Sequence, residues 1–234
     1  MNFSLEIGLK TDLNTLPNIK DVYITLLRGD QYKDVASKAK ELVRLGKNPV
    51  PHFPARSIKN QNELKDYVSM CKDFGVKQAL VIGGGADPIG DYHCSLQILE
   101  SGLFEGMKIG IAGHPEGSPD ISESDLEKAM TDKMPFADYI VTQWLLDSKS
   151  IEKFISKQTL PVHVGITGPL KISSLLKFAS IVGAKNSLNF LYSPLNRQKL
   201  SEEQQYFHAR HYFHRFLQLF HPKHLLGKEF QIYI

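Results

Sequence analysis

Two cysteines and one tryptophan stand among the 234 residues. Cys71 and Cys94 have neither metal nor redox spacing, which excludes a thiol pair of the redox type and fits idle thiols in a reducing compartment. No apolar run approaches the roughly 18 residues of a membrane span, and Glu6 interrupts the first apolar run, which argues against a signal peptide. The chain therefore reads as cytoplasmic, with no membrane partner. Basic residues outnumber acidic ones only 28 to 25, and they are scattered. Without a clustered basic patch there is no case for nucleic acid. Low-complexity segments and linkers are also lacking, so residues 1–234 are expected to form one domain with a single core.

Short β-like runs alternate with helical stretches throughout. Strands are expected near Phe3–Leu9, Asp21–Leu26, Val50–Phe53, Gln78–Ile82, Lys108–Ala112, Tyr139–Thr142, Pro161–Val164 and Glu229–Ile234. Between them fall helical candidates at Lys33–Leu45, Gln61–Phe74, Tyr92–Glu100, Ser122–Met134, Ile151–Lys157, Ser173–Val182 and Ser201–Phe220, several stopped by glycine. Strict alternation with eight strands predicts an α/β fold, a (β/α)8 TIM barrel of parallel strands. The sequence stops just after the last strand, so the barrel is expected to lack a helix there. Phe213, Phe216, Leu217 and Phe220 form an apolar stripe on the preceding helix, suited to covering that strand or to contact with a second copy in a homo-oligomer.

Barrel chemistry sits at the C-terminal ends of strands. In the first strand Phe3, Leu5, Ile7 and Leu9 alternate with polar positions, which turns Glu6 into the barrel. A carboxyl group there either acts as a general acid with a raised pKa or is bonded to an inner hydroxyl such as Thr25. His52 lies in the proline-stiffened third strand, with Arg56 close behind. The fourth strand runs into Ile82-Gly-Gly-Gly-Ala-Asp-Pro88, where glycines let backbone N–H groups approach a ligand, although the spacing is not that of a dinucleotide fingerprint. His114 and Glu116 follow the fifth strand. Gln143 ends the sixth, and its four hydrogen-bonding sites suit the mixed edge of a pterin ring. His208, His211 and His214 spread around a helix with no acidic or cysteine motif beside them, so no metal is expected.

Ser4-Leu-Glu6, Val22-Tyr-Ile-Thr25, Val50-Pro-His52, the glycine loop, Ala112-Gly-His-Pro-Glu116, Thr142-Gln143 and Gly165-Ile-Thr-Gly-Pro169, taken in order, resemble the methylenetetrahydrofolate reductase family. The resemblance implies reduction of 5,10-methylenetetrahydrofolate to 5-methyltetrahydrofolate, with hydride passing from NAD(P)H through FAD. By the same resemblance Glu6 is the catalytic acid and Asp87 stands in for the family's second carboxylate. Thr25, His52, Gly83, Gly84, Gly85, Tyr92, Ala112, His114 and Lys133 would contact the cofactor, and Gln143 and Thr167 the folate. Where the family usually reads Leu-Arg-Gly-Asp after the fourth strand, this chain reads Ile82-Gly83-Gly84-Gly85. Two further readings stay open: a folate one-carbon enzyme without flavin, and a non-catalytic folate-binding subunit.

Overall fold

The structure is a computed structural model that describes residues 2–85, 87–118, 121–145, 147–166 and 230–233. Strands β1 (Asn2–Ile7), β2 (Asp21–Ile24), β3 (Asn48–Pro54), β4 (Gln78–Ile82), β5 (Lys108–Gly113), β6 (Tyr139–Trp144) and β7 (Val162–Gly165) follow one another in a curled sheet, every pairing parallel. A short β8 (Phe230–Tyr233) pairs with β7 on one side and β1 on the other, so the strand order closes on itself. Helices α1 (Tyr32–Arg44), α2 (Gln61–Asp73), α3 (Ser95–Leu99), α4 (Glu123–Lys133) and α5 (Ser148–Lys157) lie between consecutive strands from β2 to β7. The helices expected at 173–182 and 201–220, and the apolar stripe on the second, fall outside the described residues, as does whatever follows β8.

Local chemistry sets the helix boundaries. The Asn60 side chain accepts from the Glu63 amide at the start of α2, Ser122 accepts from Asp125 at α4, and Asp147 accepts from Lys149 and Ser150 at α5. Each satisfies amides that the first turn leaves without partners. Gly46 and Gly75, at φ +71° and +84°, end α1 and α2 in the left-handed region that a side chain disfavours.

Two apolar layers result. Outward from the sheet, Val22, Ile24, Phe53, Val81, Ile111, Ile140 and Val164 pack with α1 through Val35, Ala39 and Leu42, and with α2 through Leu64, Tyr67 and Val68. Inside, Tyr23, Val50, Leu80, Tyr139 and Val141 form a smaller cluster. A full β-sheet pleat alternates the two, which is why Phe3, Leu5 and Ile7 join the outer layer while Ser4 and Glu6 turn inward. The outer helix α4 is an exception, because its one buried residue is Lys133. Among the described residues no helix is long and apolar enough to cross a membrane.

Candidate active site

Glu6 occupies the last inward position of β1, beside Tyr23 in the β1–β2 register. Its side chain keeps 35% exposure at the C-terminal end of the strand. Burial of the carboxyl nevertheless raises its pKa to about 7, because the charged form loses hydration without gaining a cation. The inner hydroxyl of Thr25 does not serve it. Thr25 Oγ1 donates instead to the Ile7 carbonyl at 3.3 Å. The group that meets Glu6 is His52 from β3, whose Nε2 stands 3.8 Å from Oε2. His52 is buried, its Nε2 has no hydrogen-bond partner among the described residues, and burial lowers its pKa to about 4. At neutral pH the imidazole is uncharged, and Glu6 holds its proton about half the time.

A polar layer backs this pair inside the barrel. The ring of Tyr23 meets His52 edge-on at 6.1 Å, and its hydroxyl is hydrogen-bonded to His163 Nδ1 at 2.7 Å. Tyr139 stacks on His163 with ring centroids 4.3 Å apart. Burial drives the Tyr23 pKa upward and that of His163 down to about 4, the latter helped by the Lys108 charge. Sequence reasoning missed these three as a unit. Their only signal was the inward phase of polar aromatic residues on β2, β6 and β7.

The opposite side of the mouth is built from β5 and β6. His114 Nδ1 is hydrogen-bonded to Gln143 Oε1 at 3.0 Å, and the Gln143 amide donates to the Gly117 carbonyl at 3.4 Å. Burial lowers the His114 pKa, opposed by the Gln143 hydrogen bond and assisted by the Lys133 charge. Lys133 is itself 8% exposed, and burial lowers its pKa. A buried ammonium whose charge reaches a half-buried imidazole is an unfavourable arrangement that an anion would relieve. Ala112 is half-buried at the end of β5.

The glycine loop is braced from β3. The Arg56 amide donates to the Gly83 carbonyl at 3.0 Å, and its guanidinium reaches the Gly84 and His93 carbonyls at 3.4 and 2.9 Å. Gly84 has φ +89°, and a Cβ there would stand 3.3 Å from Pro54. Arg56, expected as an anion contact, thus donates to loop carbonyls. Asp87 is exposed, without a hydrogen bond or ion pair among the described residues. Tyr92 is half-buried against the outer core. Thr167 lies outside the described residues, as do His208, His211 and His214. Among the described residues no group of three His, Cys, Asp or Glu side chains is placed to hold a metal ion.

No family model matches this chain. Its architecture is similar to oxaloacetate acetylhydrolase, at a TM-score of 0.53 and 11% identity over 99% of this chain and 75% of that one. A putative phosphonomutase from Burkholderia cenocepacia J2315 matches at 0.52 and 8% identity, covering 99% and 86%. Phosphoenolpyruvate phosphomutase from Streptomyces platensis subsp. rosaceus matches at 0.51 and 8%, covering 99% and 76%. These likenesses establish a fold shared with barrel-type proteins. They correct the expectation drawn from the strand-end motifs: the methylenetetrahydrofolate reductase assignment, with its folate reduction, FAD and NAD(P)H, is not supported. The physical reason lies in the motifs themselves. Parallel barrels place short polar and glycine-rich turns after every strand, so an ordered series of such turns marks the architecture before it marks a chemistry. At β4, where the family's Arg would be most telling, there is a glycine turn tied to Arg56.

Proposed function

We propose that this protein is a single-domain (β/α)8-barrel enzyme of the lyase or mutase type, acting on a small anionic oxo acid or phosphonate through acid catalysis by Glu6. The observation that carries this reading is Glu6 itself, a carboxyl group inside a barrel mouth whose pKa burial raises to about 7. When water adds to the departing acyl or phosphoryl group and the carbon–carbon or carbon–phosphorus bond next to a carbonyl breaks, the other fragment leaves as an enolate, and in a lyase that enolate must receive a proton. A group that is half protonated at neutral pH suits that donation. Glu6 Oε2 gives its proton to the enolate and becomes a carboxylate, and solvent at the mouth returns the proton. Across the mouth, Lys133 and His114 offer positive charge and hydrogen bonding for a carboxylate or phosphonate, with Gln143 fixing the His114 ring. The similarity to oxaloacetate- and phosphoenolpyruvate-handling barrels supports the substrate class without fixing it.

The test is a nuclear magnetic resonance assay of purified protein with oxaloacetate, phosphoenolpyruvate and related 2-oxo dicarboxylates. Turnover of at least one, reduced about 10²–10⁴-fold in Glu6→Gln, is expected. No turnover of any, or a Glu6→Gln variant as active as the parent, overturns the assignment.

A further inference from the structure

We propose that His52 is the positioning residue for Glu6: its buried Nε2 accepts a hydrogen bond from the protonated Glu6 carboxyl in the resting protein and holds the carboxyl in one orientation for delivery. This rests on the reading of Glu6 as an acid, and the geometry carries it further. His52 Nε2 is one of two buried side-chain polar atoms without a partner among the described residues. An orphaned nitrogen of this kind is costly unless something satisfies it. Three neighbouring hydroxyls are engaged elsewhere. Tyr23 is hydrogen-bonded to His163, Thr25 donates to the Ile7 carbonyl, and Tyr67, from α2 on the outer side of β3, donates to the His52 carbonyl rather than its ring.

Among the described residues Glu6 Oε2 is the group that approaches it, at 3.8 Å. A hydrogen bond between them needs about 1 Å of approach, which rotation of a side chain that is 35% exposed supplies. The charged alternative, carboxylate against imidazolium, requires two ions in a recess that disfavours both, with Glu6 raised to about 7 and His52 lowered to about 4. Between these values the pair carries one proton, and that proton sits on oxygen facing nitrogen. The titratable groups packed around the pair are Tyr23 on β2, His163 on β7 and Tyr139 on β6 behind it, and Tyr67 on α2. All are neutral at pH 7, so no charge among them displaces the proton. After donation to a ligand the pair is left as carboxylate and neutral imidazole, and one proton from water restores it.

The experiment is a pH titration of the full chain labelled with ¹⁵N-histidine and ¹³C-glutamate, without ligand. The expected result is that the His52 Nε2 resonance stays within the range of an unprotonated nitrogen from pH 5 to 8, and within that range shifts with the same midpoint as the Glu6 carboxyl carbon. Glu6→Gln should abolish that shift while leaving the His163 resonances in place. An Nε2 that carries a hydrogen at pH 6, or one that does not respond as Glu6 titrates, overturns the proposal. The parent protein alone decides this, so a variant that failed to fold would not rescue it. Because no substrate is present, absence of turnover in the assay above would count against the catalytic reading and not against this pairing.

Discussion

The Tyr23 hydroxyl and His163 Nδ1, 140 positions apart in sequence, are joined at 2.7 Å across the barrel interior. The contact ties β2 to β7 directly through side chains, where neither strand pairs with the other in the sheet. Removing the hydroxyl in Tyr23→Phe leaves a buried imidazole nitrogen without a partner, a loss typically worth about 1–3 kcal/mol. Urea unfolding should show that loss with an unchanged slope. An unaltered midpoint would mean that the ring packing, and not the hydrogen bond, sustains the contact.

Gly84 and Gly85 are neighbours with different obligations. Gly84 sits at φ +89° with Pro54 3.3 Å from a would-be Cβ, whereas a Cβ at Gly85 meets nothing within 4 Å. Gly84→Ala should therefore destabilise by about 1–2 kcal/mol, and Gly85→Ala should be within about 0.5 kcal/mol of the parent. Thermal melting of the two single variants separates a braced turn from a loop whose glycines are interchangeable.

Alternation along the chain made the strand and helix order readable, and Gln78–Ile82 coincides with β4. The inward turn of Glu6 was readable for the same reason, since a strict period of two leaves no other phase. Its partner was not. Thr25, on the adjacent strand, looked nearer in sequence terms, but the stagger of a closed sheet brings His52 from β3 opposite a carboxyl on β1. The Tyr23, His163 and Tyr139 layer was hidden because a tyrosine in a strand reads as ordinary core, and nothing local says that two tyrosines and a histidine share one interior. Strand-end motifs misled in the other direction. They describe turns that many barrels need, and at β4 the residues that would have discriminated were glycines.

Lys133 is the buried residue of α4, and the helix gains no apolar anchor from it. Lys133→Met should leave the melting temperature unchanged or raise it, because a desolvated ammonium is replaced by an apolar side chain of similar length. If the amine holds an anionic group of the ligand, the same change should weaken binding of oxalate about tenfold, roughly 1.4 kcal/mol, read as a smaller ligand-induced rise in melting temperature. Equal stabilisation of both proteins by oxalate would remove Lys133 from the site.

Stability should depend on pH in a way that the interior groups dictate. His52 and His163 are lowered from 6.5 to about 4, so the unfolded chain binds protons there that the folded chain refuses. Their contribution is complete above pH 6.5 and is lost as pH falls toward 4, by at most about 3 kcal/mol each. Glu6 works in the opposite sense. Raised from 4.5 to about 7, its contribution is present below pH 4.5 and is lost as pH rises through 7, with a magnitude reduced by its partial exposure. Two histidines outweigh one screened carboxyl, so the melting temperature should climb between pH 4 and 6.5 and then level off. Glu6→Gln removes the opposing contribution, and the variant should gain on the parent steadily from pH 4.5 to 7.5. A difference between the two that stays constant over that range would show that Glu6 titrates in the folded protein as it does in the unfolded one, and that the barrel mouth leaves its carboxyl hydrated.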